Sequence, residues 1–421
     1  MYPERDTSMP EFLRLVSPAE ALARWLKALP EGRRAEVESQ DTPGSLGRVL
    51  AEDVIAPHPL PPFARSTVDG YAVRAEDTFG AGPSAPSYLR LVGEVPMGRI
   101  SDIQIHVGEA ALVHTGGAIP EGASAVVMLE DTQTVPGGEL EVLSALGIGK
   151  NVIRLGEDIQ EGERVLEIGQ RLRVQEIGGL MALGRTRVSV FRRPRVAILS
   201  TGDEVVPAEA EPQPGQVRDV NSHTLAALVL RSGGQPVPFG IVPDDPETLF
   251  QTAQRAKAAS DLIIITAGSS ASARDNTAEV VRRLGAPGVL VHGLSIKPGK
   301  PAILGMVDGV PVIGLPGNPV SALVVAGLLV TPMLRRLGGD NRPTITAAVP
   351  ARLAVNVPSE AGREDYIPAR LEGSPEGWIA DPVFGKSNLI FTLVRADGLI
   401  RIPADTTGLP KGSRVDVIPF D

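Results

Sequence analysis

From Pro194 to Arg336 the sequence alternates short apolar runs with capped amphipathic helices, and this alternation constrains the fold most strongly. The apolar runs include RVAILS, DLIIIT and VPVIGL. Strands that are apolar at nearly every position are typical of a parallel sheet covered by helices on both faces. Such strands, alternating with helices, predict a doubly wound α/β domain over residues 191–340. The same spacing predicts helices from Asn276 to Leu284 and from Pro319 to about Arg336.

The segments on either side of this α/β domain follow different patterns. Short β-like runs separated by Gly and Pro fill residues 54–145 and return in residues 341–421. Helical spacing occurs on both sides of the first β-rich segment, in residues 10–53 and 146–190. We therefore predict an α/β multidomain chain: a doubly wound domain, a helical region in two segments, an inserted β-rich domain and a C-terminal β barrel.

The composition excludes several classes of protein. Lys and Arg number 41 against 50 Asp and Glu, and this acidic balance argues against a surface that binds duplex nucleic acid. Because there is no cysteine, disulfides, thiolate metal sites and cysteine nucleophiles are excluded. Residues 1–12 carry charges and prolines where a signal peptide has an apolar run, and prolines interrupt the uncharged stretch 309–334. We expect a cytoplasmic protein that binds neither nucleic acid nor membrane.

Carboxylates occupy the loops at which such a sheet binds ligands. In open α/β sheets, ligands lie beyond the carboxyl ends of the strands. Asp203 and Glu204 follow the run RVAILS, Asp219 precedes the next helix, and Asp275 lies after the run DLIIIT. Clustered carboxylates without cysteine or paired histidines favour Mg²⁺. Helix capping is the alternative role for Asp219 and Asp275.

Two other loops are suited to anions. Residues 267–273 are small or carry hydroxyls (Ser269, Ser270 and Ser272) and lead into a helix, whose first turn offers free N–H groups. The serines would otherwise act as helix caps. Lys297 and Lys300 lie on a proline-rich turn, where two ammonium groups can hold a doubly charged oxyanion. A solvated turn is the alternative there.

Seven short motifs occur in order along the chain: STVDGYAV at 66–73, TGGAIP at 115–120, GED at 156–158, STGDE at 200–204, RDVN at 218–221, KPGKP at 297–301 and GLPGNPVS at 314–321. In this order they resemble the motifs of the MoeA family of molybdopterin molybdenumtransferases, to which the gephyrin E domain also belongs. The resemblance extends from about residue 10 to the C-terminus.

The resemblance implies an activity and an assembly. It implies an enzyme that inserts molybdate into adenylylated molybdopterin and releases AMP, with Mg²⁺ as cofactor. It also implies a homodimer, in which residues 10–53 and 146–190 form the dimerisation region and residues 191–340 the molybdopterin-binding-like domain.

The resemblance also assigns roles to individual residues. Asp69 and Thr115 of the β-rich domain are expected to act across the dimer cleft, together with the catalytic carboxylates Glu204, Asp219 and Asp275. Glu204 and Asp219 are the expected metal ligands. The expected substrate-binding residues are Ser269, Ser270, Ser272, Lys297, Lys300, Pro316, Asn318, Arg363 and Ser387.

Three positions depart from the family pattern. Residues 267–273 carry side chains where the family has a glycine-rich loop, Pro368 stands near the place of a second arginine with Arg370 just beyond, and Asp397 replaces an asparagine. These departures leave a tungstate-preferring paralogue open. Two further functions also stay open: a non-catalytic scaffold for pterin or peptide, and an adenylyltransferase that acts one step earlier.

Overall fold

The computed structural model describes residues 15–31, 35–267, 271–342 and 347–420, without the side chains of residues 267 and 271–275. Its first part runs to residue 191. The helices and strands there are α1 Pro18–Lys27, β1 Val37–Asp41, β2 Val54–Ile55, β3 Arg65–Ser66, β4 Gly70–Val73, β5 Ser87–Glu94, β6 Glu109–Val113, β7 Ala125–Met128, β8 Thr132–Val135, β9 Glu139–Val142, β10 Val152–Ile153, β11 Arg164–Leu166, α2 Val174–Ala182 and β12 Arg187–Phe191.

The β-rich domain is one six-stranded sheet with the strand order β7-β4-β6-β5-β9-β8. The chain segments that lead into and out of this sheet pair with each other, through β1 with β12, β2 with β11 and β3 with β10. The sheet is therefore an insertion between two segments that are joined at its base. Within residues 146–190, helix is confined to α2, and β10 and β11 precede it.

The second part of the chain alternates strands and helices. Its elements are β13 Arg195–Thr201, β14 Val205–Val206, β15 Val217–Arg218, α3 Asn221–Arg231, β16 Gln235–Val242, α4 Pro246–Ala259, β17 Leu262–Ala267, α5 Ala271–Leu284, β18 Pro287–His292, β19 Ile296–Lys297, β20 Ile303–Val307, β21 Val310–Pro316 and α6 Pro319–Leu337. Helix α5 begins at Ala271, five residues before the predicted Asn276, so Ser272 lies in its first turn.

This domain's sheet has the order β16-β13-β17-β21-β20-β18 and is mixed. Strands β16, β13, β17 and β21 are parallel, whereas β20 and β18 run antiparallel to their neighbours. This edge departs from the parallel sheet that the apolar strands indicate. The reason is a hairpin between β20 and β21, because Asp308 and Gly309 both have positive φ, as a two-residue hairpin turn requires.

Both faces of the sheet are covered, as the doubly wound prediction requires. Side chains of successive strand residues point to opposite faces. Val196 and Ile198 of β13 belong to the core beneath α1, α3 and α6, whereas Ala197 and Leu199 belong to the core beneath α4 and α5. Trp25 of α1 is fully buried, and its indole N–H donates to the carbonyl of Gly305 at 2.8 Å. The first helix therefore lies on the α/β domain, and the prediction that residues 10–53 contribute a helix to a region shared with residues 146–190 is wrong for α1.

The C-terminal part forms a closed five-stranded barrel. Its elements are β22 Val349–Leu353, β23 Val357–Pro358, β24 Glu364–Ser374, β25 Gly377–Pro382, α7 Phe391–Val394, β26 Gly398–Ile402, β27 Gly408–Leu409 and β28 Arg414–Pro419. The ring closes in the order β24-β25-β22-β28-β26 through a pairing of β26 with β24. Strand β19 of the preceding domain joins the barrel, because Ile296 pairs in parallel with Glu364. This pairing holds the barrel against the α/β domain.

Helix α6 is long and apolar enough to cross a membrane, judged by length and composition alone. Most of the helix is buried in the core of the α/β domain, from Val320 to Leu337. Burial inside the protein accounts for its apolar composition.

Candidate active site

A cavity of about 910 Å³ lies between the α/β domain and the barrel. This volume is within the range of sites that bind small molecules. Its wall contains six of the predicted substrate-binding residues: Lys297, Lys300, Pro316, Asn318, Arg363 and Ser387. The structure therefore brings together residues that are up to ninety positions apart in the sequence, from both domains.

The turn that carries Lys297 and Lys300 is fixed by its backbone. Gly299 has a φ of +116°, and a Cβ atom there would lie 2.3 Å from Cγ2 of Val325. The N–H of Leu294 donates to the carbonyl of Lys300 at 2.8 Å. Both lysine side chains are exposed, and neither forms an ion pair within the described ranges. A rigid turn thus presents two uncompensated positive charges to the cavity.

The start of helix α6 is joined to the barrel. Asn318 precedes α6, and its side-chain amide donates to Oγ of Ser387 at 3.0 Å. The N–H of Val320 donates to the Ser387 carbonyl at 3.1 Å. On the other side of the loop, the amide of Asn221 donates to the carbonyl of Gly317 at 2.7 Å. These bonds fix the loop after β21 between α3 and the barrel.

Arg363 faces the cavity but is already paired. Its guanidinium lies 3.0 Å from a carboxylate oxygen of Asp365 and 2.9 Å from one of Glu360. The side chain of Asp365 is only 3% exposed, so this pair is fixed in place. Because Asp365, which also lines the cavity, compensates its charge, Arg363 can offer hydrogen bonds to a ligand but adds no net positive charge to the cavity wall.

Asp219 is buried, and each of its two carboxylate oxygens accepts a hydrogen bond. One carboxylate oxygen accepts a hydrogen bond from Oγ of Ser200 at 2.8 Å, and the other accepts from the N–H of Ser222 at 3.0 Å. Ser222 lies in the first turn of α3, so Asp219 caps that helix. This geometry corresponds to the capping alternative stated for Asp219 from the sequence.

Glu204 lies in an acidic group with Asp203 and Asp244. The N–H of Asp244 donates to Asp203 at 3.1 Å. Burial raises the pKa of the Asp244 carboxyl, and the charges of Asp203 and Glu204 raise it further. Among the residues whose side chains are described, no three His, Asp or Glu groups are arranged to hold a metal ion. Glu204 and Asp219 do not line the 910 Å³ cavity.

The two groups of predicted residues lie at neighbouring strand ends. Ser200 of β13 is opposite Thr266 of β17, and Ala267 of β17 is opposite Pro316 of β21. The carboxyl end of β17 therefore lies between the acidic residues and the cavity. Ser269 and Ser270 lie outside the described residues. Ser272 and Asp275 lie on α5, and their side chains are outside the description as well.

Asp69 and Thr115 contact each other on the inserted β-rich domain. Oδ1 of Asp69 accepts from the N–H of Thr115 at 2.8 Å and from its hydroxyl at 3.2 Å. These bonds, with a smaller effect from nearby His114, hold the pKa of the Asp69 carboxyl below its ordinary value. Neither residue lines the cavity of the same chain.

Two charged residues of the cavity wall, Lys386 and Asp365, were not predicted from the sequence. Lys386 precedes the predicted Ser387, and its position between Gly385 and Ser387 after a strand is a signal that could have found it. Asp365 lies two residues after Arg363, and this spacing places two side chains on one face of an extended strand. The ion pair between Asp365 and Arg363 could therefore have been predicted from the sequence.

The departures near the C-terminus also have structural explanations. Pro368 lines the cavity, whereas Arg370 lies near Asp381 on the neighbouring strand, at 3.6 Å, and does not line it. The carboxylate of Asp397 accepts from the N–H of Leu371 at 2.8 Å. Asp397 therefore supports the barrel, and an asparagine oxygen could accept the same bond.

Three family models match the chain in order. The MoeA N-terminal region (domain I and II) matches residues 16–184, a probable molybdopterin binding domain matches residues 197–336, and the MoeA C-terminal region (domain IV) matches residues 350–420. The chain is 34% identical to a molybdopterin molybdenumtransferase from Nostoc sp. over 389 residues, which cover 91% of this chain and 88% of that protein.

Further relatives agree. The chain is 35% identical to molybdopterin molybdenumtransferase 2 of Mycobacterium tuberculosis over 380 residues, which cover 88% of this chain and 92% of that protein. A crystal structure of the molybdopterin biosynthesis MoeA protein from Pyrococcus horikoshii OT3 covers 97% of this chain and 100% of that one, with a TM-score of 0.84 and 33% identity.

The fold and the cavity, taken with these likenesses, define a transferase with a role in molybdenum cofactor biosynthesis. Three matched regions cover most of the chain in the family's order, and the likeness to solved relatives extends over all of its domains. The chain belongs to the MoeA family.

Asp219 and Glu204 should differ in their effects on stability. We expect Asp219→Ala to lower the free energy of unfolding by about 2–4 kcal/mol, because it removes a helix cap and leaves the Ser200 hydroxyl without its acceptor. Glu204→Ala, on the same edge of the sheet, should change the free energy of unfolding by less than about 0.5 kcal/mol. Urea denaturation followed by circular dichroism measures both. Equal losses in the two variants would contradict the capping role.

Proposed function

We propose that this protein inserts molybdate into adenylylated molybdopterin and releases AMP. The observation that carries the proposal is that Lys297 and Lys300, which form no ion pair with any described residue, lie on a rigid turn in a cavity between two domains. Molybdate is a dianion, and two ammonium groups match its charge. The loops beside the cavity offer further donors, namely the Arg363 guanidinium and the hydroxyl of Ser387.

The reaction requires cations where negative charge develops. Breaking the anhydride of an adenylylated phosphate transfers the adenylyl group to water, so that AMP and the pterin phosphate separate with increased negative charge. Lys297 and Lys300 can stabilise that charge while they hold the oxyanion in place. Because their turn is fixed by Gly299, little reorganisation is needed when the charge appears.

We propose Mg²⁺ as the cofactor, held at the acidic loop. Glu204 is half-buried beside Asp203 and Asp244, and this excess of negative charge fits a hard cation. Asp219 fits less well, because both of its oxygens already accept hydrogen bonds. Mg²⁺ commonly uses one or two carboxylates and completes its shell with water and substrate phosphate. Bound there, it would neutralise phosphate charge on the substrate.

We also propose that the active form is a homodimer. Asp69 and Thr115 lie on the inserted domain and do not line the cavity of their own chain. The resemblance assigns them to the active site, and a second copy of the chain would bring them to the cavity. In a twofold dimer each subunit then contributes to both sites.

The activity is tested with adenylylated molybdopterin, molybdate and Mg²⁺. We expect release of AMP, measured by chromatography, together with pterin-bound molybdenum, measured by elemental analysis. A mixture without protein is the control. AMP at the control level would contradict the proposal, and release of pyrophosphate from ATP would instead indicate an adenylyltransferase. Offering molybdate and tungstate together shows which metal is incorporated.

Lys297→Ala should abolish turnover with little loss of stability. Its side chain is exposed and forms no ion pair within the described residues, so its removal costs the fold little. Lys411→Ala is the matched control, since Lys411 is also exposed but does not line the cavity. The rate of AMP release and the melting temperature are measured for both. A large drop in the melting temperature of Lys297→Ala would make Lys297 structural.

Mixed dimers test whether two subunits share a site. Asp69→Ala and Lys297→Ala are each expected to be inactive as homodimers. After dissociation and random reassembly of an equal mixture, half of the dimers are mixed and one of their two sites is intact, so activity should return to about a quarter of the wild-type level. If both residues act within one chain, the mixture stays inactive.

A further inference from the structure

The cavity wall contains a third lysine, Lys386, to which the proposed reaction gives no role. Lys386 lies in the loop between β25 and α7 of the barrel, whereas Lys297 ends β19 and Lys300 belongs to the turn after it. Its side chain is exposed and forms no ion pair with any residue that the structure describes. Positive charge therefore faces the cavity from two separate parts of the chain.

The backbone around Lys386 is fixed on both sides. Before it, Gly385 packs against Thr392 so closely that a Cβ atom would lie 2.2 Å from Cγ2 of Thr392. After it, Ser387 accepts hydrogen bonds from Asn318 and from the N–H of Val320. The carbonyl of Lys386 itself accepts from the N–H of Leu389 at 3.0 Å. The loop is thus held in place while its ammonium group is free to bind a ligand.

The charges around the cavity are not balanced. The charged side chains that line it are Lys297, Lys300, Arg363, Asp365 and Lys386, which carry a net charge of +3, because Glu360 does not line the cavity. Asp365 compensates Arg363, whereas the three lysines have no ion-pair partner within the described ranges. One dianion between Lys297 and Lys300 matches two of these three ammonium groups. The third is left for another anionic group.

We propose that Lys386 is a substrate-binding residue that holds a second anionic group, a phosphate, while Lys297 and Lys300 hold the oxyanion. This assignment rests on the proposed function for the identity of the substrate, but the binding of two anions is independent of turnover. In this arrangement Lys386 binds the phosphate from the barrel, and Lys297 and Lys300 bind the oxyanion from the α/β domain. Both groups are then held in one cavity at the junction of the two domains.

Isothermal titration calorimetry with two inorganic anions tests this assignment. Molybdate is added to saturation first, and inorganic phosphate is then titrated into the same protein. We expect Lys386→Gln to weaken phosphate binding by about tenfold, since a charge-assisted hydrogen bond is lost. Molybdate affinity should change less than about twofold, because the Lys297 turn is untouched. Lys386→Arg should restore phosphate binding.

Lys411→Gln controls for the loss of one positive charge on the same domain. Phosphate binding by this variant should equal that of the wild type, and melting temperatures verify that every variant is folded. The inference is overturned if phosphate and molybdate compete for one site, or if Lys386→Gln and Lys411→Gln bind phosphate equally.

In the activity assay, Lys386→Gln should raise KM for the pterin with little change in kcat. If AMP release fails but the two anions still bind as described, the proposed reaction is wrong and this inference stands.

Discussion

The cavity depends on how the barrel is attached to the α/β domain. Two of the hydrogen-bond sets that make that attachment lie at the cavity: the parallel pairing of Ile296 with Glu364, and the bonds from Asn318 and Val320 to Ser387. The first set begins one residue before Lys297, and the second holds the residue that follows Lys386. Each of these two contacts therefore also positions a charged group. A change that loosened the contact would displace the ligand-binding groups at the same time.

Much of the fold could be predicted from the sequence because its signals are local. Apolar strands with capped helices identify the α/β domain, and alternate residues of β13 do face opposite cores. The antiparallel edge was missed although its signal was present, since Asp308-Gly309 is a typical hairpin turn. The start of α5 was also missed, because small hydroxyl residues are compatible with a loop as well as with a first helical turn.

The candidate site was predictable to the extent that strand ends determine it. Lys297, Lys300 and Asn318 follow strands or precede a helix, and the topology brings them to one cavity. The partners of each side chain could not be predicted, because they come from distant segments. Asp219 is bound by Ser200, and Arg363 by Asp365 and Glu360. In both cases a charged residue suggested by its motif already has a role in the folded chain.

Separation of charge at the sheet edge gives the site its chemical character. The acidic residues Asp203, Glu204 and Asp244 lie at the ends of β13 and β16, whereas the lysines line a cavity whose wall includes the end of β21, two strands away from β13. Were the two groups in direct contact, they would neutralise each other and bind little. Kept apart by the intervening strand ends, the acidic group can attract a cation and the basic group an anion. A substrate that carries phosphates and accepts an oxyanion meets both requirements in one pocket and its neighbouring loop.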